Sequence, residues 1–141
     1  MQKQISNIID RESISLPEGN WLQYFFDRQR AFADQFVHFD KLAEEAAKSK
    51  DVREDPRVEW TEDFIDCISQ ELAELRDWLP WKHWRRYGSF QLNEEEIKYE
   101  LIDILHFLLD LFLVWGMTPE EVMRMYIAKM QQNIERQESG Y

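Results

Sequence analysis

The division between apolar and polar positions is sharpest from Glu96 to Trp115, EIKYELIDILHFLLDLFLVW. At about 100° per residue on a helix, Glu96, Glu100, Asp103, His106 and Asp110 fall on one stripe roughly 120° wide. The rest of the circumference is Ile, Leu, Phe, Tyr, Val or Trp, apart from Lys98. A helix apolar over so much of its girth is buried on most sides. Its acidic stripe is then either the one face left to water or the lining of a cleft where carboxylates do chemistry.

No alternating strand pattern occurs elsewhere, and the four Gly and four Pro sit at boundaries. The chain therefore reads as all-α, a single domain with about four main helices. Residues 1–19 are polar and predict a loose lead-in. Asn20 predicts a cap for a first helix from about Trp21 to about Lys48, with Leu22, Phe25, Phe26, Phe32, Phe36 and Phe39 as its apolar positions. The charged stretch 49–59, with Pro56, predicts a loop. Thr61 predicts the cap of a second helix that runs to about Leu79, where Pro80 stops it. Residues 80–93 form a connector. Asn93 and Glu96 make a capping-box pattern for the central helix, and Gly116 stops it. Thr118, Pro119 and Glu121 then start a last helix that runs to about Gln137.

Totals narrow the function. At 141 residues the chain can bury a real core, and six Trp with nine Phe are more apolar bulk than a small bundle needs, which points to a subunit interface. The net charge of −11 gives no electrostatic reason to bind nucleic acid or an anionic membrane. One cysteine, Cys67, excludes an intrachain disulfide and fits a reducing compartment. With no signal-peptide pattern and no uncharged apolar run of spanning length, the expected location is the cytoplasm, that of the host if the chain is phage-encoded.

The acidic balance gives a reason to bind cations wherever carboxylates cluster. Glu71 and Glu74 on the second helix, and Glu100 and Asp103 on the central one, are each spaced i, i+3 and share a helix face. Antiparallel packing of the two helices would bring four carboxylates together. Such a cluster repels itself, and a cation relieves it. All-oxygen ligands select magnesium, or manganese, over zinc. A magnesium site with open positions usually serves a phosphate ester. Bare acidic i, i+3 pairs are common on solvated faces, but Leu72, Leu75, Leu101, Ile104 and Leu105 crowd both pairs here. Lys129, Asn133 and Arg136 share one face of the last helix and suit a polyphosphate, although cations in a last turn also suit the helix dipole. The connector places Lys82, Arg85 and Arg86 among Trp81, Trp84 and Tyr87. That is either an aromatic wall with a basic mouth or a surface loop anchored by Trp packing. His106 and Cys67, taken alone, read as ordinary core-edge residues.

The segments ELAELRDWLPWKHW (71–84), YELIDILHF (99–107), GMTPEE (116–121) and KMQQNIERQESGY (129–141) resemble the dimeric all-α dUTPases and the bacteriophage dCTP/dUTP pyrophosphatase type within them. The resemblance covers residues 61–141 well and the first helix weakly. It implies a MazG-like helical bundle, a homodimer with a shared core, magnesium, and hydrolysis of a pyrimidine deoxynucleoside triphosphate to monophosphate and pyrophosphate. It implies Glu71, Glu74, Glu100 and Asp103 as metal ligands, with Glu74 or Glu71 also orienting the attacking water. Lys82, Lys129, Asn133, Arg136 and Tyr141 would hold phosphates. Trp81, His106 and Phe107 would border the base, and Gln29 in FFDRQRAF would meet the pyrimidine ring. An asparagine common in the family a turn beyond that glutamine is absent; Ala31, Phe32 and Ala33 stand there. A site short of one polar contact separates uracil from cytosine less sharply. The competing readings are a broader pyrophosphatase for other or damaged nucleotides and a non-catalytic nucleotide- or protein-binding helical dimer.

Overall fold

The computed structural model describes residues 11–140, and the described chain is all helical. Five α-helices follow one another: α1 (Trp21–Val37), α2 (Phe39–Lys48), α3 (Pro56–Asp77), α4 (Glu94–Val114) and α5 (Pro119–Glu138). Two short 3-10 turns, Arg11–Ser13 and Val52–Glu54, precede α1 and α3.

Most caps follow the local chemistry. Asn20 accepts a hydrogen bond from the Gln23 amide, Asn93 from the Glu96 amide and Thr118 from the Glu121 amide. Each satisfies one of the donors a helix start leaves unpaired.

Two expectations are corrected. The predicted helix 21–48 is two helices, broken at His38, whose backbone is left-handed at φ 54 and ψ 64. Asp34 makes the break: its carbonyl accepts from the His38 amide and its carboxylate from the Phe39 amide. One residue thus accepts from both sides of the break, by its backbone carbonyl at the end of α1 and by its side chain at the start of α2, and the turn lets Val37 and Phe39 both reach the core. The predicted loop 49–59 contains the start of α3. Asp55 is its N-cap, accepting from the Arg57 amide, and Pro56 is its first residue. Pro56 opens the helix because a first-turn residue needs no amide donor. Thr61 lies inside α3, where its hydroxyl bonds the Arg57 carbonyl and accepts from the Trp115 indole.

The core is Phe26, Ala33, Val37, Phe39, Leu42, Phe64, Leu109, Leu113 and Val114, drawn from α1 to α4. Phe26 stacks on Phe112, and Phe64 lies between Trp60 and Phe107. No large side chain among the described residues is fully buried. The girth of α4 is not all covered within one chain: Leu101, at 50% exposure, with Ile102 and Leu108, stays open to solvent. The chain bends by 106° between α4 and α5. Helix α5 buries no residue and exposes Met123, Met125, Tyr126, Ile127, Met130 and Ile134. No single helix among the described residues is long and apolar enough to cross a membrane.

Candidate active site

Helices α3 and α4 form the main packing pair, and their ends show they run antiparallel. Thr61, early in α3, meets Trp115 at the end of α4. Trp78, at the end of α3, donates its indole N–H to Glu100 Oε1 near the start of α4, at 3.2 Å. This pairing carries the two acidic i, i+3 pairs to the same place.

Glu71, Glu74 and Glu100 each present an oxygen to one point, and these oxygens lie within 4.8 Å of one another. Asp103 stands outside that trio, on a side chain one carbon shorter, yet its charge reaches both Glu71 and Glu100. Burial, the charge on Glu74 and a proton shared with Glu100 push the Glu71 carboxyl up to about 7. Burial also raises Glu100, opposed by the hydrogen bond from Trp78. Glu71 Oε2 and Glu100 Oε2 are buried and receive no hydrogen bond from any protein donor. When both groups are ionised, two buried oxygens in one acidic cluster have no donor to offset their charge. A divalent cation satisfies both at once, and hard carboxylate oxygens suit magnesium or manganese. The residues present therefore fit the expected metal.

Farther along the same stripe of α4 lies Asp110, on the far side of His106. It is 4% exposed and accepts a hydrogen bond from Gln29 Nε2 of α1 at 2.8 Å. Burial pushes its carboxyl up to about 6, against the opposing effects of Gln29 and the nearby His106. Burial raises the thiol of Cys67 on α3, and the charges of Asp63, Asp66, Glu71 and Asp110 add to the effect.

The connector 78–93 is folded back on itself. Tyr87 Oη accepts from the Lys82 amide, Lys82 Nζ and the Arg76 guanidinium lie over the Trp81 ring, and Trp84 meets Trp81 edge-on. A cavity of about 400 Å³ opens here among Asp77, Trp81, Lys82, Arg85, Arg86 and Tyr87.

The structure thus brings Glu71, Glu74 and Glu100 together with Asp103 beside them. Gln29 lies buried against α4, and His106 is exposed on the same helix. Phe107 packs on Phe64 of α3. Lys129, Asn133 and Arg136 are exposed on α5. That helix starts at the end of α4 opposite Glu100, about 20 Å away along the axis. It then leaves at a steep angle and packs on α1, so one chain does not bring these three to the carboxylates. Tyr141 lies outside the described residues. Sequence reasoning gave no role to Trp78 or Asp110. The apolar spacing of Phe26, Ala33 and Val37 around Gln29 was the signal that Gln29 faces the core.

An all-α bundle whose two central helices converge three glutamates at one point defines the class. The chain belongs to the dUTPase family, whose family model matches residues 21–115. It is 36% identical over 106 residues to a dCTP pyrophosphatase of Enterobacteria phage T4, covering 60% of this chain and 62% of that protein. It is 41% identical over 73 residues to a dCTP pyrophosphatase of Enterobacteria phage LZ5, covering 45% of this chain and 41% of that one. A T4 protein named DNA replication protein is 34% identical over 94 residues, 51% of this chain and 24% of its own length. The chain spans less than two thirds of each of these relatives. No solved structure matches.

Proposed function

We propose that the chain hydrolyses a pyrimidine deoxynucleoside triphosphate, dCTP, dUTP or both, to the monophosphate and pyrophosphate. The observation that carries this reading is the convergence of Glu71, Glu74 and Glu100 with two buried oxygens left without donors. Membership of the dUTPase family supports the reaction, and the names of the T4 and LZ5 relatives bring dCTP forward beside dUTP.

Glu71, Glu74, Glu100 and Asp103 would hold magnesium, with manganese as a substitute. When bound, the metal neutralises triphosphate charge and makes water more acidic. Glu74 is the most open of the trio and would orient the attacking water and take its proton. Trp78 fixes Glu100 in place through its indole N–H. Lys82 and Trp81 line the connector cavity, where Lys82 would meet phosphate and Trp81 the base.

Lys129, Asn133 and Arg136 need a second copy to reach the carboxylates. The exposed apolar residues of α4 and α5 support a homodimer, since pairing would cover Leu101, Ile102 and Met130. The substrate is then held between acid-bound metal on one side and cations on the other.

The test is pyrophosphate release from dCTP, dUTP, dTTP and dATP, each with and without magnesium. Magnesium-dependent release from dCTP or dUTP is expected. Absence of release from all four would overturn the reading.

A further inference from the structure

The connector between α3 and α4 gathers cations in a chain that has 28 acidic residues against 17 Lys and Arg. The ion pairs among the described residues lie elsewhere, on Arg11, Arg30, Arg57, Lys98 and Arg124. Lys82, Arg85 and Arg86 line one cavity of about 400 Å³, and Asp77 is the one acidic residue of that lining. Like charges that share a cavity without an acid partner repel one another, and an anion relieves them.

The loop is held in shape. Tyr87 Oη accepts from the Lys82 amide and the Lys82 carbonyl accepts from the Arg85 amide, each at 2.9 Å. Lys82 Nζ stands 5.5 Å from the centre of the Trp81 ring and Arg85 Cζ 5.7 Å from that of Tyr87. A ring face orients a cation without neutralising it. Trp81 and Trp84 would anchor this loop with any polar residues at 82, 85 and 86, so anchoring does not explain three cations.

The cavity adjoins the acidic trio. Asp77 on its wall follows Glu74 by three residues of α3, about 5 Å along the helix. The next residue, Trp78, donates to Glu100. The phosphate chain of a nucleotide held at the trio bridges that gap. It bends at each bridging oxygen, so base and terminal phosphate can both turn towards the connector. Unlike Lys129 and Arg136, these cations need no second copy to come near the carboxylates.

We propose that Arg85 and Arg86 take the terminal phosphate of the nucleotide in this cavity and so make the chain prefer triphosphates to diphosphates. This rests on the proposed function, which makes a nucleotide the ligand. In that reaction the water oxygen bonds to the α-phosphorus and the water's proton passes to Glu74. The bond from this phosphorus to the α,β-bridging oxygen breaks, and its electron pair leaves with pyrophosphate. A diphosphate would release inorganic phosphate by the same step. The γ-phosphate exists only in the triphosphate, so cations placed on it favour that substrate. A guanidinium offers phosphate two parallel N–H donors and stays charged as the leaving group gains charge.

The test measures kcat/KM with magnesium on dCTP, dUTP and the matching diphosphates, for wild type, Arg85→Gln, Arg86→Gln, Arg85→Gln/Arg86→Gln and Arg85→Lys/Arg86→Lys. Both arginines are exposed, so these variants should keep the fold. The triphosphate-to-diphosphate ratio should fall about tenfold in each single Gln variant and further in the double one, the size of lost charge-assisted contacts. The double Lys variant keeps the charge without the paired donors and should recover part of the ratio. Calorimetric binding of the non-hydrolysable α,β-imido analogues reads the same preference without turnover. Wild type should bind the triphosphate analogues more tightly than the diphosphate ones, and the double Gln variant should not. A ratio unchanged in the double Gln variant, or equal binding of both analogues by wild type, would overturn the assignment. Wild type that hydrolyses no pyrimidine nucleotide yet shows the arginine-dependent binding preference would overturn the proposed function and uphold the pocket.

Discussion

Glu71 carries two opposed demands. Its neighbours Glu74, Glu100 and Asp103 make its charge costly, and its buried oxygen lacks a donor. Removing that charge should therefore help the metal-free fold and abolish the chemistry. Glu71→Gln is expected to unfold at a higher temperature than wild type without magnesium, and to lose turnover with it. Asp103→Asn should lose turnover with helicity intact; near-normal pyrophosphate release by either variant contradicts the assignment. Asp110 makes a different prediction. Its folded carboxyl titrates near 6 against an ordinary value of 3.8, so the folded state holds the proton more tightly. Its contribution to stability is full below about 3.8 and is lost as pH rises through about 6. In metal-free protein, the urea midpoint should fall less steeply between those pH values in Asp110→Asn than in wild type. Equal slopes would show that Asp110 is not held neutral by burial. The acidic pairs were visible in the sequence because i, i+3 spacing is local. The partnership of Asp110 with Gln29 joins positions 81 residues apart, and no local pattern reports it.

Helix boundaries show how one residue type serves two purposes. Pro56 and its charged neighbours look like a loop, but with Asp55 before it the same proline is a helix start. Asp34 looks like an ordinary polar position on a long helix; its hydrogen bonds to His38 and Phe39 make it a corner. The corner holds His38 in a left-handed backbone that side chains resist, most of all branched ones. His38→Val should cost about 1–2 kcal/mol in urea unfolding, whereas His38→Gly should cost little or nothing. If both variants match wild type, the corner is not strained as described. The central and last helices were legible at both ends, because Asn93, Thr118 and Pro119 act on residues within a turn of themselves.

A single chain leaves an unusual amount of apolar surface uncovered. Tyr126, at 61% exposure, stands among the methionines and isoleucines of α5, while Leu101 and Ile102 flank the acidic cluster on α4. If a second copy covers this surface, a charge placed there should divide the assembly and disable it together. Ile102→Glu is expected to shift the protein from dimer to monomer in sedimentation velocity and to lower turnover, although no metal ligand is touched. A monomeric wild type, or a monomeric variant of full activity, would show that each chain works alone.

What the sequence determined by itself is whatever depends on neighbours within a few turns. That includes the all-helical class, the caps at Asn20, Asn93 and Thr118, and the acidic pairs on α3 and α4, because periodicity and capping are local properties of the chain. Tertiary structure decided the rest. It set the antiparallel match that brings Glu71 to Glu100, the corner at His38, the burial of Gln29 against Asp110, and the steep departure of α5 that separates Lys129 from the carboxylates. Each of these depends on which distant surfaces bury each other, and burial, unlike periodicity, is a property of the whole packing.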